Sequence, residues 1–292
     1  MPTATEGPVA IVTGGGTGIG AAVAAVLREQ GWRVVICGRR PEPLRRVAQA
    51  TGALAIRADT ADGGDIRELV QTTLKTFGRL DGLVLNAGIV HAGAVGELAD
   101  AEWDDMLRVN LTGPFRLTRE ALPHLVASRG AVVAVASAAA LRATAGIAGY
   151  DATKAGLAML MQSVAVDYGH AGLRANVVCP GWTRTEMADA EMTEFGESIG
   201  ATRDEAYGLA TAFAPSRRAA EPAEVAEAIA WLLSSAASYV NAAVIPVDGG
   251  LVAVDRGRSR SIHGSGSASP QRCPSTDPLP APAGSGSGVD VR

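Results

Sequence analysis

Val9-Ala10-Ile11-Val12-Thr13-Gly14-Gly15-Gly16-Thr17-Gly18-Ile19-Gly20 is the stretch from which the fold can be worked out. Residues 9–12 are apolar without polar alternation, the pattern of a strand covered on both faces. Glycines follow, then an alanine-rich run at 21–30 that reads as a helix stopped by Gly31. Strand, glycine turn and helix together make a site for a pyrophosphate. Gly14, Gly16, Gly18 and Gly20, with Thr17 and Ile19 among them, let the backbone approach an anion closely. The helix N-terminus adds unpaired N–H groups and a positive dipole end. The spacing is Gly14-x-x-x-Gly18-x-Gly20, and a plain tight turn is the competing reading of these residues alone.

Residues 34–37 read as a second strand closing a βαβ unit. An acidic residue at its end would bind a free ribose 2′-hydroxyl, whereas arginine accommodates a 2′-phosphate. The chain has Gly38-Arg39-Arg40 there and no acid. NADP(H) is therefore expected in preference to NAD(H), because arginine contacts phosphate bidentately. The alternative is that Arg39 and Arg40 open a solvated helix. Further strands are read at 54–56, 83–85, 131–136, 174–178 and 243–247. Helices are read at 62–77, 103–127, 150–168 and 222–233. The expected fold is α/β, a doubly wound, mostly parallel, seven-stranded Rossmann-like sheet in a single domain.

Asn86-Ala87-Gly88 ends the fourth strand, and its small residues would let the backbone meet an adenosine. Asn110 falls inside a helix, where its amide competes for backbone bonds and marks a kink, a bound water or an indifferent exposed site. Residues 182–215 scatter Trp182, Met187, Met192, Phe195, Tyr207 and Phe213 through a polar background. That suits a flap over an active site, with a surface helical pair as the alternative. From residue 255 the chain is rich in Ser, Gly, Pro and Arg, so 255–292 is expected to be a disordered tail and 1–254 the catalytic domain.

Ser137 ends the fifth strand, and Tyr150 and Lys154 follow on a helix, four apart and on one face. A phenol titrates near about 10, too high for easy proton exchange at neutral pH. A fixed ammonium beside it would favour the phenolate and make Tyr150 a usable acid or base. Ser137 could hold a carbonyl or hydroxyl oxygen against that phenol. Lys75 and Lys154 are the only lysines in the chain, which favours a specific role for the second. An ordinary amphipathic helix is the plainer reading of Tyr-x-x-x-Lys by itself.

Composition narrows the classes of function. At 292 residues and 47% hydrophobic, the chain can bury a full α/β core. A net charge of −4 gives no reason to expect nucleic acid or an anionic membrane as partner. Cys37, Cys179 and Cys273 match no metal spacing and suit reduced thiols in the cytoplasm. His91, His124, His170 and His263 are equally scattered, so no metal is expected. Residues 1–8 do not read as a signal peptide. The apolar run 131–148 is broken by Ser137, Arg142, Thr144 and Gly146, as for a strand and loop rather than a membrane span.

Taken in order, Thr13-Gly14-x-x-x-Gly18-Ile19-Gly20, Asp59, Asn86-Ala87-Gly88, Asn110, Ser137, Tyr150-x-x-x-Lys154 and Pro180-Gly181-x-x-x-Thr185 resemble the short-chain dehydrogenase/reductase family. The resemblance is to its compact single-domain branch, of 3-oxoacyl-[acyl-carrier-protein] reductase type, and covers residues 8–254. It implies a hydride transfer between a nicotinamide cofactor and a carbonyl or secondary alcohol of a small molecule. Tyr150 would be the proton donor or acceptor and Ser137 its partner on the substrate oxygen. Lys154 would lower the Tyr150 pKa and bind the nicotinamide ribose, while Asn110 would hold a water linking Lys154 to solvent. Asp59 and Thr60 would meet the adenine, Asn86, Ala87 and Gly88 the adenosine side, and Thr183 and Thr185 the nicotinamide. Relatives are usually homotetramers, pairing the helices of Asn110 and Tyr150 across one interface and the last strand across another.

Two positions depart from common family forms. Thr17 stands where many NADP users carry a basic residue, and Ala242 where glycine is usual. A sugar-nucleotide epimerase or dehydratase would need glycine at position 17 and a larger C-terminal domain. A non-catalytic nucleotide sensor would be expected to lack Ser137, Tyr150 or Lys154.

Overall fold

The computed structural model describes residues 7–254, and the expectation of a disordered tail falls outside them. Seven strands, β1 (Val9–Thr13), β2 (Arg33–Gly38), β3 (Leu54–Arg57), β4 (Gly82–Leu85), β5 (Ala131–Val135), β6 (Arg174–Pro180) and β7 (Val244–Val247), form one sheet. Their order is β3-β2-β1-β4-β5-β6-β7, and every pairing is parallel. Nine helices flank it among the described residues: α1 (Gly18–Glu29), α2 (Pro41–Thr51), α3 (Gly63–Phe77), α4 (Asp100–Leu107), α5 (Gly113–Ser128), α6 (Ala148–Tyr168), α7 (Glu186–Ile199), α8 (Arg203–Ala210) and α9 (Pro222–Leu233).

The sheet is covered on both faces, which explains why β1 shows no polar alternation. Ile11 enters a core shared with α3, α5 and α6, while its neighbours Ala10 and Val12 enter a second core with α1, α2 and α9. Successive residues of a strand point to opposite faces, so each must be apolar when both are buried. The strand order reverses between β1 and β4, and their C-terminal ends leave a crevice of the kind in which α/β sheets bind ligands.

The helix that Arg39 and Arg40 were alternatively read to open is present, with Arg40 as the N-cap of α2. Only Pro43 and Leu44 of that helix are buried, so its apolar signal is weak. The long helix expected at 103–127 is α4 and α5 joined by a π-turn at Arg108–Thr112 that contains Asn110. Residues 182–215 form the helical pair α7–α8, with Ala188, Met192, Ala206, Tyr207 and Ala219 in a small cluster of their own. Ala242 adopts φ +57°, the left-handed backbone that explains the usual glycine there. Among the described residues no helix is long and apolar enough to cross a membrane.

Candidate active site

The glycine turn is a cradle that side chains would fill. A Cβ on Gly20 would lie 2.3 Å from the Gly14 carbonyl oxygen, and one on Gly14 would lie 2.9 Å from Asn86 Nδ2. Gly14 and Gly18 have φ of +63° and +52°, which an L side chain rarely adopts. Thr17 caps α1 without a side-chain hydrogen bond, and no acid stands in the first turn. The leading N–H groups of α1 are thus left for an anion. Thr13 and Asn86 join β1 to β4. The Thr13 hydroxyl donates to the Val84 carbonyl at 3.2 Å and accepts from the amides of Asn86 and Ala87 at 2.9 and 3.0 Å. Asn86 Nδ2 donates to the Thr13 carbonyl at 2.9 Å.

Gly88 follows at the mouth of β4, where a Cβ would lie 3.2 Å from Lys154 Nζ and 3.3 Å from Asn110 Oδ1. Asn110 is fully buried because the π-turn directs its amide inward. Its Oδ1 accepts from Ile89 N at 2.9 Å, and its Nδ2 donates to the Ile89 carbonyl at 2.9 Å and to Thr153 Oγ1 at 3.1 Å. Lys154 is buried, donates from Nζ to the Val135 carbonyl at 3.0 Å, and lies 5.5 Å from the centroid of the Tyr150 ring. Burial lowers its pKa to about 8. The Tyr150 phenol is pushed up to about 12 by burial, against a hydrogen bond with the Ser137 side chain that pulls it down. Ser137 caps the short turn after β5, its hydroxyl accepting from Ala139 N at 3.2 Å.

The chain is similar to known proteins over most of its length. A family model described as Enoyl-(Acyl carrier protein) reductase matches residues 14–252. Protein MoaE of Klebsiella aerogenes is 41% identical over 249 residues, covering 85% of this chain and 96% of that one. Cis-4-hydroxycyclohexanecarboxylate dehydrogenase of Sinomonas cyclohexanicum is 38% identical, covering 84% and 97%. The chain belongs to the short-chain dehydrogenase/reductase family. The crystal structure of an actinorhodin polyketide ketoreductase variant with NADPH superposes on this short-chain enzyme with a TM-score of 0.80 at 33% identity, covering 84% and 97%. The protein is a nicotinamide-dependent oxidoreductase of that family, acting on an alcohol or carbonyl.

The short-chain fold brings Ser137, Tyr150, Lys154, Asn110 and Gly88 together, and it brings Thr185 to the glycine turn. A Cβ on Gly18 would lie 2.9 Å from Thr185 Cγ2. Thr185 caps α7, and Thr183 is buried with its hydroxyl donating to the Gly181 carbonyl at 3.2 Å. Asp59 is occupied, accepting from Ala61 N at 2.9 Å and facing Arg108 at 3.5 Å, while Thr60 is buried. At the end of β2, Arg39 makes no ion pair among the described residues, and its carbonyl accepts from Arg57 Nε at 3.3 Å. Gly38 pairs with Arg57 in the sheet, while Gly16 packs on Pro43.

One expectation needs correction. Lys154 was expected to lower the Tyr150 pKa, but the phenol lies above its ordinary value. The ammonium is turned to the Val135 carbonyl and sits over the ring at 5.5 Å, so loss of hydration outweighs it. Sequence reading also missed partners. Thr153 fixes the Asn110 amide, and the Cys179 thiol, raised to about 11 by burial, meets the Ser137 backbone and the Lys154 charge. His91, read as isolated, lies 3.3 Å from Asp105. The only sequence signal for Thr153 was its place one residue before Lys154. Glu191 of α7, whose carboxyl is raised by burial, adds negative potential at Tyr150 and had no signal at all.

Proposed function

We propose that this enzyme reduces a ketone on a small molecule to a secondary alcohol, preferring NADPH, with Tyr150 as the proton donor. The observation that carries the reading is the convergence of Ser137, Tyr150 and Lys154 at the end of β5, beside Gly88 and the β1–β4 crevice. A nicotinamide in that crevice supplies the hydride. The residues do the rest. Ser137 holds the substrate oxygen against the phenol. Tyr150, a phenol and so neutral at pH 7, which burial only reinforces, has a proton to give to that oxygen. Lys154 has three N–H donors, one directed to the Val135 carbonyl, leaving two for ribose hydroxyls and for a proton path along Asn110. Gly14, Gly16, Thr17, Gly18, Ile19 and Gly20 would hold the pyrophosphate, and Arg39 the 2′-phosphate. Asp59, Thr60, Asn86, Ala87 and Gly88 would line the adenosine side, and Thr183 and Thr185 the nicotinamide.

The catalytic domain would span residues 1–254 of a cytoplasmic homotetramer. Exposed Phe115 on α5 and Met159 and Val166 on α6 support pairing of those helices between copies. The test is a panel of cyclic ketones, β-ketoacyl thioesters and their alcohols, followed by absorbance with NADPH and with NADH. Oxidation or reduction of at least one pair, faster with the phosphorylated cofactor, is expected. Turnover with NADH alone would overturn the cofactor preference, and none with any pair would overturn the substrate class.

A further inference from the structure

The segment that reads the ribose and the flap helix are joined by one ion pair. Arg40 follows Arg39 directly after β2, and its guanidinium donates to the carboxylate of Glu186. Glu186 is the first residue of α7 and follows Thr185, the residue packed against Gly18. Arg40 and Glu186 are 146 positions apart in sequence and meet on the rim of the glycine turn. Both side chains are more than half exposed, so water screens the pair and either partner can be exchanged. The Arg40 hydrogen bond holds the Glu186 carboxyl below the usual carboxylate range, which keeps it charged at neutral pH.

We infer that Glu186 tempers the preference for NADP(H), by occupying Arg40, the second guanidinium that a ribose 2′-phosphate could take. The inference rests on the glycine turn binding the dinucleotide as proposed above. A 2′-phosphate brings a charge of about −1.5 to −2 to Arg39, meets the Glu186 carboxylate, and must displace it to gain the second guanidinium. A free 2′-hydroxyl carries no charge and makes no claim on Arg40. The penalty therefore falls on NADP(H) alone. Among the described residues Arg39 is left as the one unpaired guanidinium at the end of β2, and Arg40 becomes a held reserve rather than a support.

Titration calorimetry of the full chain with NADP+, NAD+ or adenosine 2′-monophosphate, without substrate, tests this. Glu186→Gln removes the charge but keeps the size and the Thr185 cap. It is expected to tighten NADP+ and adenosine 2′-monophosphate about three- to fivefold, the upper scale of an exposed ion pair, and to leave NAD+ within about 1.5-fold. In an Arg40→Ala background the same change should gain little, and the wild-type difference should shrink at high salt. Unchanged affinities, equal tightening of both dinucleotides, or a full gain without Arg40 would each overturn the inference. Both dinucleotides binding with an unshifted ratio sinks this inference alone. Failure of the wild type to bind either dinucleotide overturns the cofactor reading and this inference with it.

Discussion

Lys154 and Arg184 are both cations lying over a tyrosine ring, and their surroundings could hardly differ more. Lys154 stands 5.5 Å from the Tyr150 centroid inside the sheet crevice, buried and hydrogen-bonded to a strand carbonyl. Arg184 stands 4.7 Å from the Tyr207 centroid at the foot of the flap and reaches out to Asp204 at 2.9 Å and Glu221 at 3.9 Å. In the crevice the buried amide and ammonium groups are satisfied largely by backbone partners. Losing one strands a polar group at a cost of about 1–3 kcal/mol. On the flap the ties are exposed ion pairs worth about 0–1 kcal/mol each, around a five-residue cluster. A site that must present a proton at a fixed point is built on the first kind of contact. The helical pair α7–α8, expected from the sequence as a flap, is held by the second.

The comparison can be broken hardest at the crevice. Tyr150→Phe keeps the ring under Lys154 and removes only the acid. Turnover should fall about 10²–10⁴-fold, while dinucleotide affinity measured by titration stays within about twofold. Near-normal turnover would remove Tyr150 from the chemistry. Next in size, Arg39→Ala on the rim should weaken NADPH by about 1–3 kcal/mol and spare NADH. Equal losses for the two would mean that Arg39 does not read the phosphate.

A smaller effect separates buried from exposed cations by pH. Lys154 titrates near 8 in the fold against 10.5 for a free lysine side chain. Between those values the unfolded chain binds the proton that the folded one has lost, so stability rises with pH. From about pH 8 upward Cys37 and Cys179, whose thiols burial raises to about 12 and 11, act in the opposite sense. Relative to Lys154→Met, in which the same cysteines titrate, the wild type should therefore gain about 1 kcal/mol from pH 8 to 9 in denaturant melts. A wild-type slope no steeper than the variant's would mean that the ammonium is hydrated. Smallest is Tyr207→Phe, which removes the bond to Asp189 at 2.8 Å and keeps the Arg184 stack. A loss of about 1 kcal/mol, seen as faster amide exchange in α7 and α8 only, is expected. Faster exchange in β5 as well would show that crevice and flap open as one unit.

How much of this was legible in the sequence depends on the same contrast. The seven strands could be read because a sheet buried on both faces needs runs such as 9–12 and 131–136, and local composition records that need. Ser137, Tyr150, Lys154 and the glycines could be read because their spacings are short and fixed by one turn of helix or one tight loop. The flap was legible only as a choice between two readings, because its ties join residues far apart, such as Arg184 with Asp204 and Arg40 with Glu186. The error over Tyr150 has the same root. Spacing placed the ammonium near the ring, but neither its aim at Val135 nor the depth of burial is written in a four-residue interval.

The π-turn at Arg108–Thr112 amounts to one surplus residue wound into an otherwise regular rod. Deleting a single position there would let the rod relax into ordinary geometry while α4 and α5 kept their faces on either side. The Asn110 amide would swing away from Ile89 and Thr153, leaving a tidier helix beside an enzyme that has lost its polar link. The local irregularity is thus the means by which an awkward residue is aimed, and smoothing it would exchange the Asn110 hydrogen bonds for regularity.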